Sequence, residues 1–364
     1  MARRPTQMFA FASLSTWARV LADNPHVARE RLPTLLGALG TSAVTAPLRL
    51  AETLRYGRAI ARTRIEQPPL FVLGYARSGT THLHNLFGHD PALGFVSTFQ
   101  ALAPGFAMIG ERLIKPLMSR AVPATRPTDN VAVDLDLPQE EEVAIANLSP
   151  TSMLHHMSFP SRHDEYFRRR VLMEGISKRE RAAFVRAYLK VARTATLRCE
   201  GKRLVLKCPL NMARLPLLLE LFPEARFVHI VRNPYAVYPS LLHLYDTMLG
   251  DHHLEPFDRA HMKRCILEHY RLSFEAFARD RSRIAQGRLT EVRYEDLRAQ
   301  PMVELKRVYE DLSLPGWDAA RAPIAAYLES LQGYKTNAYE LDEATRAVVR
   351  EHWRPQFEAW SYAT

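Results

Sequence analysis

Cysteine is scarce in this chain, whose 364 residues include only Cys199, Cys208 and Cys265. No two of them have the spacing of a C-x-x-C pair. The sequence therefore predicts neither a disulfide framework nor a zinc cluster, and we expect no metal site. The low thiol content fits a reducing compartment, which predicts a cytoplasmic protein.

Long hydrophobic runs are also missing. The longest uncharged stretch, residues 32–48, is interrupted by prolines and glycines. It is shorter than the roughly 20 apolar residues that a membrane-spanning helix needs, so we expect no transmembrane anchor. The basic, amphipathic first part of the chain leaves contact with a membrane surface open.

Negative charge is the third shortage, because 39 Asp and Glu stand against 49 Lys and Arg and the formal net charge is +10. This excess favours anionic partners such as nucleotides, lipid headgroups or sulfated ligands. The chain has no helix-turn-helix, RNA-binding or interleaved aromatic signature, so we expect no nucleic-acid partner. Its composition, 47% hydrophobic and 24% charged, is that of a globular protein with a large core.

Short apolar runs alternate with helical spacing through the chain from residue 66 onward. The runs read as buried strands over residues 70–73, 203–206, 226–231 and 289–293. Such alternation predicts an α/β fold with a P-loop-like parallel sheet flanked by helices.

The expected organisation has three parts. Helical spacing interrupted by prolines predicts an N-terminal helical extension over residues 1–65. The α/β domain is expected over residues 66–340, and a C-terminal helical tail packed on the core over residues 341–364.

A glycine-rich loop, GYARSGTT, follows the first predicted strand at residues 74–81. Its Gly-x4-Gly frame between strand and helix is typical of a loop that binds an anion through backbone N–H groups. A Walker A loop has lysine after the second glycine, but Thr80 stands there and Arg77 adds a guanidinium within the loop. This change favours a phosphate or sulfate group over nucleoside triphosphate hydrolysis. The structural alternative is a turn capped by Ser78 or Thr80.

A second polar segment, RNPYAVYPS, begins at Arg232 and ends at Ser240, directly after the strand at residues 226–231. The carboxyl ends of parallel strands are where α/β sheets bind ligands. The strand ends in Arg-Asn rather than in aspartate, so the metal ligand expected of a P-loop kinase is not evident. A salt bridge by Arg232 and a helix cap by Ser240 are the structural alternatives.

The two loops together resemble the motifs of sulfotransferases that use 3′-phosphoadenosine 5′-phosphosulfate (PAPS). The first loop resembles their 5′-phosphosulfate loop, and Arg-Asn-Pro-x5-Ser resembles their 3′-phosphate motif, in the same order along the chain. The resemblance extends over residues 66–340. It is closer to the broad, mostly bacterial branch of the family than to the cytosolic animal enzymes.

This resemblance implies specific roles for residues of both loops and of two further segments. The 5′-phosphosulfate is expected to contact Arg77, Ser78, Gly79, Thr80 and Thr81. The 3′-phosphate is expected to contact Arg232, Ser240 and, from the segment GYKTNAY, Lys335. Catalytic roles fall to Arg77 and Lys207, which would neutralise charge that develops on the sulfuryl group during in-line transfer.

The resemblance does not identify the general base, because Pro209 stands where cytosolic animal sulfotransferases have a histidine. The segment DLPQEEEVA at residues 136–144 resembles an acidic stretch of the bacterial branch, so Glu140 and Glu142 are candidates. The same acids would also suit a helix N-terminus. The alternative bases are His84, His155 and His156.

The resemblance implies an enzyme that moves a sulfuryl group from PAPS to a hydroxyl of a small-molecule, lipid or carbohydrate acceptor, with no metal required. The alternatives are a P-loop kinase and a non-enzymatic basic anion-binding protein. The sequence identifies neither the acceptor nor an oligomeric state.

Overall fold

The structure is a computed structural model that describes residues 7–120, 125, 128, 134–333 and 339–364. The strands in these ranges are β1 (Leu70–Leu73), β2 (Leu93–Gly94), β3 (Arg203–Lys207), β4 (Arg226–Val231) and β5 (Leu289–Arg293). The α-helices are α1 (Leu14–Asp23), α2 (Leu32–Val44), α3 (Ala46–Arg62), α4 (Thr80–Gly88), α5 (Thr98–Leu102), α6 (Ala107–Leu113), α7 (Lys115–Ser119), α8 (Glu141–Leu148), α9 (His163–Arg170), α10 (Lys178–Arg198), α11 (Leu215–Leu221), α12 (Pro234–His252), α13 (Arg259–Asp280), α14 (Tyr294–Ala299), α15 (Pro301–Asp311), α16 (Trp317–Ser330) and α17 (Glu343–Ala359). Short 3₁₀ segments cover Arg29–Arg31, Met153–Met157, Pro160–Arg162, Pro209–Arg214 and Arg281–Arg283.

The strands form one parallel sheet in the order β2-β3-β1-β4-β5. β1 is central, and it pairs with β3 on one side and with β4 on the other. All four residues of β1 are buried, as expected for a strand inside a parallel sheet. The predicted α/β class, a parallel sheet flanked by helices, is confirmed.

Apolar side chains of α4, α14, α15 and α16 pack against the strands in one continuous core. Leu83, Leu86 and Phe87 of α4 meet Val72 of β1 and Val228 of β4 in this cluster, and all five are fully buried. Their spacing on α4 follows the three-to-four residue period of a helix that covers a sheet. This packing fixes the position of α4, and with it the position of the loop that precedes α4.

The contacts divide the chain into two compact units. The first comprises Met1–Ile65, Val96–Gly201 and Leu244–Met262, and the second comprises Glu66–Phe95, Lys202–His243 and Lys263–Thr364. All five strands and both loops singled out in the sequence lie in the second unit. The division into extension, α/β domain and tail stays a prediction.

Two prolines of the N-terminal region lie at the starts of helices, whereas Pro25 directly follows Asn24, the C-cap residue of α1. Pro33 and Pro47 lie in the first turns of α2 and α3, where the missing N–H has no partner within the helix in any case. In the first unit, Phe99, Phe106 and Leu135 form part of a separate apolar cluster. None of the helices in the described ranges is long and apolar enough to cross a membrane.

Candidate functional site

Two glycines determine the path of the loop between β1 and α4. Gly74 has φ +146°, and a Cβ there would lie 2.5 Å from the carbonyl oxygen of Ile230 in β4. Gly79 has φ +95°, and a Cβ there would lie 2.3 Å from the ring of Tyr294. Any larger residue would push the loop away from β4 or from Tyr294. The Gly-x4-Gly frame is therefore required by close approach of the backbone at both of its ends.

Arg77 joins the two predicted loops through hydrogen bonds of its side chain and its backbone. Its Nε donates to Ser240 Oγ at 2.8 Å, and its carbonyl oxygen accepts from Arg232 Nη1 at 3.1 Å. The residue has φ +72°, a left-handed conformation that is uncommon outside glycine and is often found at functional sites. The structure thus brings together three residues that lie up to 163 positions apart in the sequence.

Positive charge is concentrated where these residues meet. Burial lowers the pKa of Arg232, and the neighbouring charge of Arg77 lowers that pKa further, although Tyr294 and Glu295 act in the opposite direction. The Arg232 guanidinium carbon lies 4.4 Å from the centroid of the Tyr294 ring, a cation–π contact. The charge of Arg77 thus disfavours the charge of Arg232, and a bound anion would relieve that repulsion.

The N-terminus of α4 offers further donors. The helix begins directly after Gly79, and this N-cap residue has no side chain to accept from the first N–H groups of the helix. Ser78 precedes it with 1% of its surface exposed, and among the described residues its Oγ has no hydrogen-bond partner. Thr80 and Thr81 are the first two residues of the helix. An uncapped helix start beside a buried, unpaired hydroxyl is suited to binding an oxyanion.

Lys207 reaches the same helix from the next strand. It ends β3, pairs in register with Val72 of β1, and has only 2% of its surface exposed. Its Nζ lies 3.4 Å from Thr81 Oγ1. The two arginines, Ser78, Thr81 and Lys207 therefore belong to one compact unit, and the β3–β1–β4 order of the sheet sets their neighbourhood.

His84 lies one turn further along α4, and its side chain is buried. Its Nε2 lies 3.4 Å from the carbonyl oxygen of Val205, and its Nδ1 has no partner among the described residues. Burial, with a smaller effect of the Lys207 charge, lowers the pKa of His84 to about 3. A ring that holds its proton so weakly is a poor general base near neutral pH, so this environment disfavours His84 in that role.

Glu140 and Glu142 lie in the first unit, at the start of α8. Glu142 is fully buried, and its Oε1 accepts from Ser152 Oγ at 2.7 Å and from Met153 N at 3.1 Å. Glu140 is the N-cap residue of α8 and is half-buried. The helix N-terminus expected from the acidic segment is therefore present, and of the two carboxylates only that of Glu140 reaches solvent.

The remaining predicted residues are two histidines and a lysine. His155 and His156 are buried in the first unit, where each ring lies within hydrogen-bond distance of a backbone carbonyl, of Ser149 and Met153 respectively. Burial lowers the pKa of His155 to about 4. Lys335 lies outside the described residues.

One carboxylate that the sequence reading left without a role holds the turn after β4. Glu295 Oε1 accepts from the backbone N–H of Asn233 at 3.1 Å, and its Oε2 accepts from the Tyr362 hydroxyl at 2.8 Å. Asn233 follows Arg232 directly, so Glu295 helps to fix the backbone that carries the guanidinium. Its neighbour Tyr294 packs beneath Arg232. The only signal in the sequence was their position at the end of the β5 strand.

Fold and loop geometry together define an α/β protein with an anion-binding loop, and comparison with known proteins identifies the family. The model of the sulfotransferase family matches residues 68–319. The chain is 32% identical over 355 residues to omega-hydroxy-beta-dihydromenaquinone-9 sulfotransferase Stf3 of Mycobacterium bovis and of Mycobacterium tuberculosis, covering 96% of this chain and 90% of each relative. The chain belongs to the sulfotransferase family and is an enzyme of the transferase class. This assignment removes the kinase and the non-enzymatic alternatives.

Solved sulfotransferase structures have the same fold. STF9 from Mycobacterium avium superposes with a TM-score of 0.71 at 18% identity, covering 99% of this chain and 93% of that one. STF1 from Mycobacterium tuberculosis superposes with a TM-score of 0.65, also at 18% identity, covering 94% and 91%. At this identity the likeness concerns the fold, and the predicted P-loop-like architecture is confirmed.

The buried His84 makes a prediction about stability and pH. Its ordinary pKa of 6.5 applies to the unfolded chain and the folded value is about 3, so below pH 6.5 only the unfolded state takes up the proton. As the pH is lowered below 6.5, the free energy of unfolding should therefore decrease, by about 1.4 kcal/mol per pH unit for this one group. Chemical denaturation of the His84→Gln variant between about pH 6 and about pH 5 should show a smaller slope than the parent chain.

Replacement of the exposed His26 by Gln is the matched control for the loss of one imidazole at the surface. If His84→Gln and the parent chain lose stability with the same slope, His84 is not held neutral by the fold.

The Glu295 carboxylate makes a prediction about coupling between two distant segments. Glu295→Ala leaves the Asn233 N–H without its acceptor and should lower the free energy of unfolding by about 1–3 kcal/mol. Tyr362→Phe removes the other donor and should cost about 0.5–1.5 kcal/mol. Because both bonds end on one carboxylate, the double variant should be less destabilised than the sum of the two single variants.

Chemical denaturation of the four proteins measures this coupling. Glu310→Ala, at an exposed acid of the same unit, is the control and should have little effect. Strict additivity of the two single variants would show that Glu295 does not link the turn to Tyr362.

Proposed function

We propose that this sulfotransferase uses PAPS as donor and that the two loops joined by Arg77 hold its two anionic ends. The observation that carries the proposal is the chain of hydrogen bonds from Arg232 to Arg77 and from Arg77 to Ser240. In this proposal the 5′-phosphosulfate contacts Arg77, Ser78, Gly79, Thr80 and Thr81. The 3′-phosphate contacts Arg232 and Ser240, with Lys335 as a further candidate.

The residues present fit such a ligand on three counts. The Ser78 hydroxyl is buried and has no partner among the described residues, so it can donate to an oxyanion. The uncapped start of α4 presents N–H groups and the positive end of the helix dipole. Arg77 and Arg232 supply two guanidinium groups, one held by Ser240 and the other by the Arg77 carbonyl, that can each contact an anionic group of the nucleotide. When bound, PAPS supplies the sulfuryl group that is transferred.

The chain's own residues then have distinct tasks in the transfer. Arg77 and Lys207 stabilise negative charge on the reacting oxygens, because Arg77 lies within the loop and Lys207 lies beside Thr81 at the start of α4. Their positions are fixed before reaction, Arg77 by Ser240 and Lys207 by the end of β3, so little reorganisation is required. No metal ion is assigned a task, and metal independence stays a prediction.

A hydroxylated lipid is the acceptor that we propose. The curated relatives at 32% identity are named for sulfation of omega-hydroxy-beta-dihydromenaquinone-9, and the match covers 96% of this chain. The acceptor class that we propose therefore has a terminal hydroxyl on a long apolar molecule. The direct test is transfer of labelled sulfate from PAPS to an omega-hydroxylated menaquinone, compared with the same quinone lacking the hydroxyl. A cytoplasmic location stays a prediction.

For the general base we favour Glu140, because it is the carboxylate of the pair that reaches solvent. Glu142 is buried, and its Oε1 is occupied by Ser152 and Met153. A carboxylate that accepts two such bonds has a structural task already. The buried histidines remain the alternatives.

The proposed function predicts an effect of Arg77 on turnover. Arg77→Ala should lower kcat by about 100-fold or more, the scale of one lost preorganised donor at the transferring group. Steady-state kinetics with PAPS and the lipid alcohol measure this, with Arg321→Ala at an exposed position of α16 as the control. An unchanged kcat in Arg77→Ala would remove this residue from the transfer step.

A further prediction distinguishes the roles of Glu140 and Glu142. Glu140→Gln should abolish the acidic limb of the pH dependence of kcat/KM. Glu142→Ala should instead lower the unfolding free energy by about 1–3 kcal/mol, because Ser152 and the Met153 N–H lose their acceptor. If the acidic limb survives in Glu140→Gln and is lost in Glu142→Gln, the assignment is reversed. Survival in both would point to His155 or His156.

A further inference from the structure

α2 carries an exposed apolar row in the first unit. Leu32, Leu36 and Val44 are exposed by 43%, 64% and 79%, and with Gly40 they recur every fourth residue along the helix. Residues at this spacing lie on one face. The buried residues of the helix, Leu35, Ala38 and Ser42, lie on the other. A helix whose exposed face and buried face are both apolar is unusual at a protein surface in contact with water.

α3, which begins two residues after the end of α2, carries a second exposed apolar row and adds positive charge. Leu50 and Leu54 are exposed by 61% and 78%, and the next members of the same four-residue row are Arg58 and Arg62. Arg55 and Arg64 are exposed as well. We call the exposed leucines and valine of α2 and α3, together with these four arginines, the α2–α3 face.

Within residues 32–65, which carry these arginines, no acid is exposed. Between residues 32 and 65 the sequence contains one acid, Glu52. Its side chain is 2% exposed and accepts from the backbone N–H groups of Met108 and Ile109 at 3.1 and 2.9 Å. The fifth arginine of the segment, Arg49, points inward and donates to Thr45 Oγ1 at 2.7 Å. The exposed charges of the segment are therefore all positive.

We propose that the α2–α3 face binds the surface of an anionic lipid membrane. Leucine and valine side chains beside arginines are the composition of a helix surface that lies at the boundary between headgroups and acyl chains. The long arginine side chains can place their apolar stems among the leucines and their guanidinium groups against lipid phosphates. Each such arginine adds attraction to an anionic leaflet. The proposal does not depend on the transfer chemistry, and it would place the enzyme where a lipid alcohol is found.

Two observations favour a membrane over a protein partner. The face offers only leucine and valine as apolar anchors, and these types are rare among the residues that dominate protein–protein affinity. In a twofold dimer of this chain, the face would meet its own copy, so its four arginines would come close to the same four arginines, and residues 32–65 offer no exposed acid to offset them. An anionic leaflet neutralises the same charges.

The test is flotation of the full chain with vesicles of phosphatidylcholine, with and without phosphatidylglycerol. The parent chain should float with the anionic vesicles, and binding should weaken as salt is raised. Leu36→Gln and Leu54→Gln should each lower the partition coefficient between vesicles and solution by about tenfold, because each removes an apolar side chain that the membrane would bury. Arg58→Gln should lower it by about fivefold on anionic vesicles and leave binding to phosphatidylcholine unchanged.

Val303→Gln is the matched control, because Val303 is 60% exposed but lies on α15 in the other unit. All of these positions are exposed, so the thermal transitions of the variants should match that of the parent chain. Failure of the parent chain to float, or equal flotation of Leu36→Gln, Leu54→Gln and the parent, would overturn the proposal. A dimer in sedimentation equilibrium that these leucine variants abolish, without vesicle binding, would assign the face to a second copy instead.

Discussion

The pairing of β1 with β4 is the constraint on which the candidate site depends. The two strands run in parallel up to the pair Leu73 and His229, and Gly74 then lies so close to Ile230 that no side chain fits between them. The two chains therefore leave the sheet side by side. Because they do, the Arg77 carbonyl meets the Arg232 guanidinium within a few residues of the strand ends.

The site contains two energetically unfavourable features, which the surrounding packing holds in place. Arg77 adopts a left-handed backbone conformation, and its charge lies beside that of Arg232. Tyr294 supports Arg232 from below and fills the space that Gly79 leaves open, while Glu295 fixes the next backbone N–H. Rigid positive charge that water does not fully solvate is favourable for binding an anion and for stabilising charge during transfer. The strain and the proposed function thus have the same structural origin.

Much of this architecture was predictable from local sequence patterns. Apolar runs identified four strands, because a buried parallel strand needs an uninterrupted apolar segment; β2, with two residues, is too short to leave such a pattern. The two motifs placed Arg77, Arg232 and Ser240 at the carboxyl edge of one sheet. Their hydrogen bonds, however, depend on which strands are neighbours. No local sequence pattern indicates the order β3-β1-β4.

Other features depend on contacts between distant residues and left no sequence signal. Glu295 and Tyr362 are 67 positions apart, so neither position alone indicates a shared hydrogen bond. The acids at residues 140–142 suggested both a base and a helix N-terminus, and only burial distinguished Glu142, which bonds to Ser152, from the more exposed Glu140. For the same reason, sequence reasoning treated His84 as a candidate base, whereas its pKa depends on surroundings contributed by β3.

The central claim is that Arg232 recognises the 3′-phosphate of a nucleotide whose other end lies on the loop of Arg77. Calorimetric titration of the parent chain and of Arg232→Gln with 3′-phosphoadenosine 5′-phosphate and with adenosine 5′-phosphate tests it directly. The account predicts that the variant loses about 30-fold or more in affinity for the bisphosphate and little for the monophosphate. An equal loss for both nucleotides, or no loss for either, would contradict it.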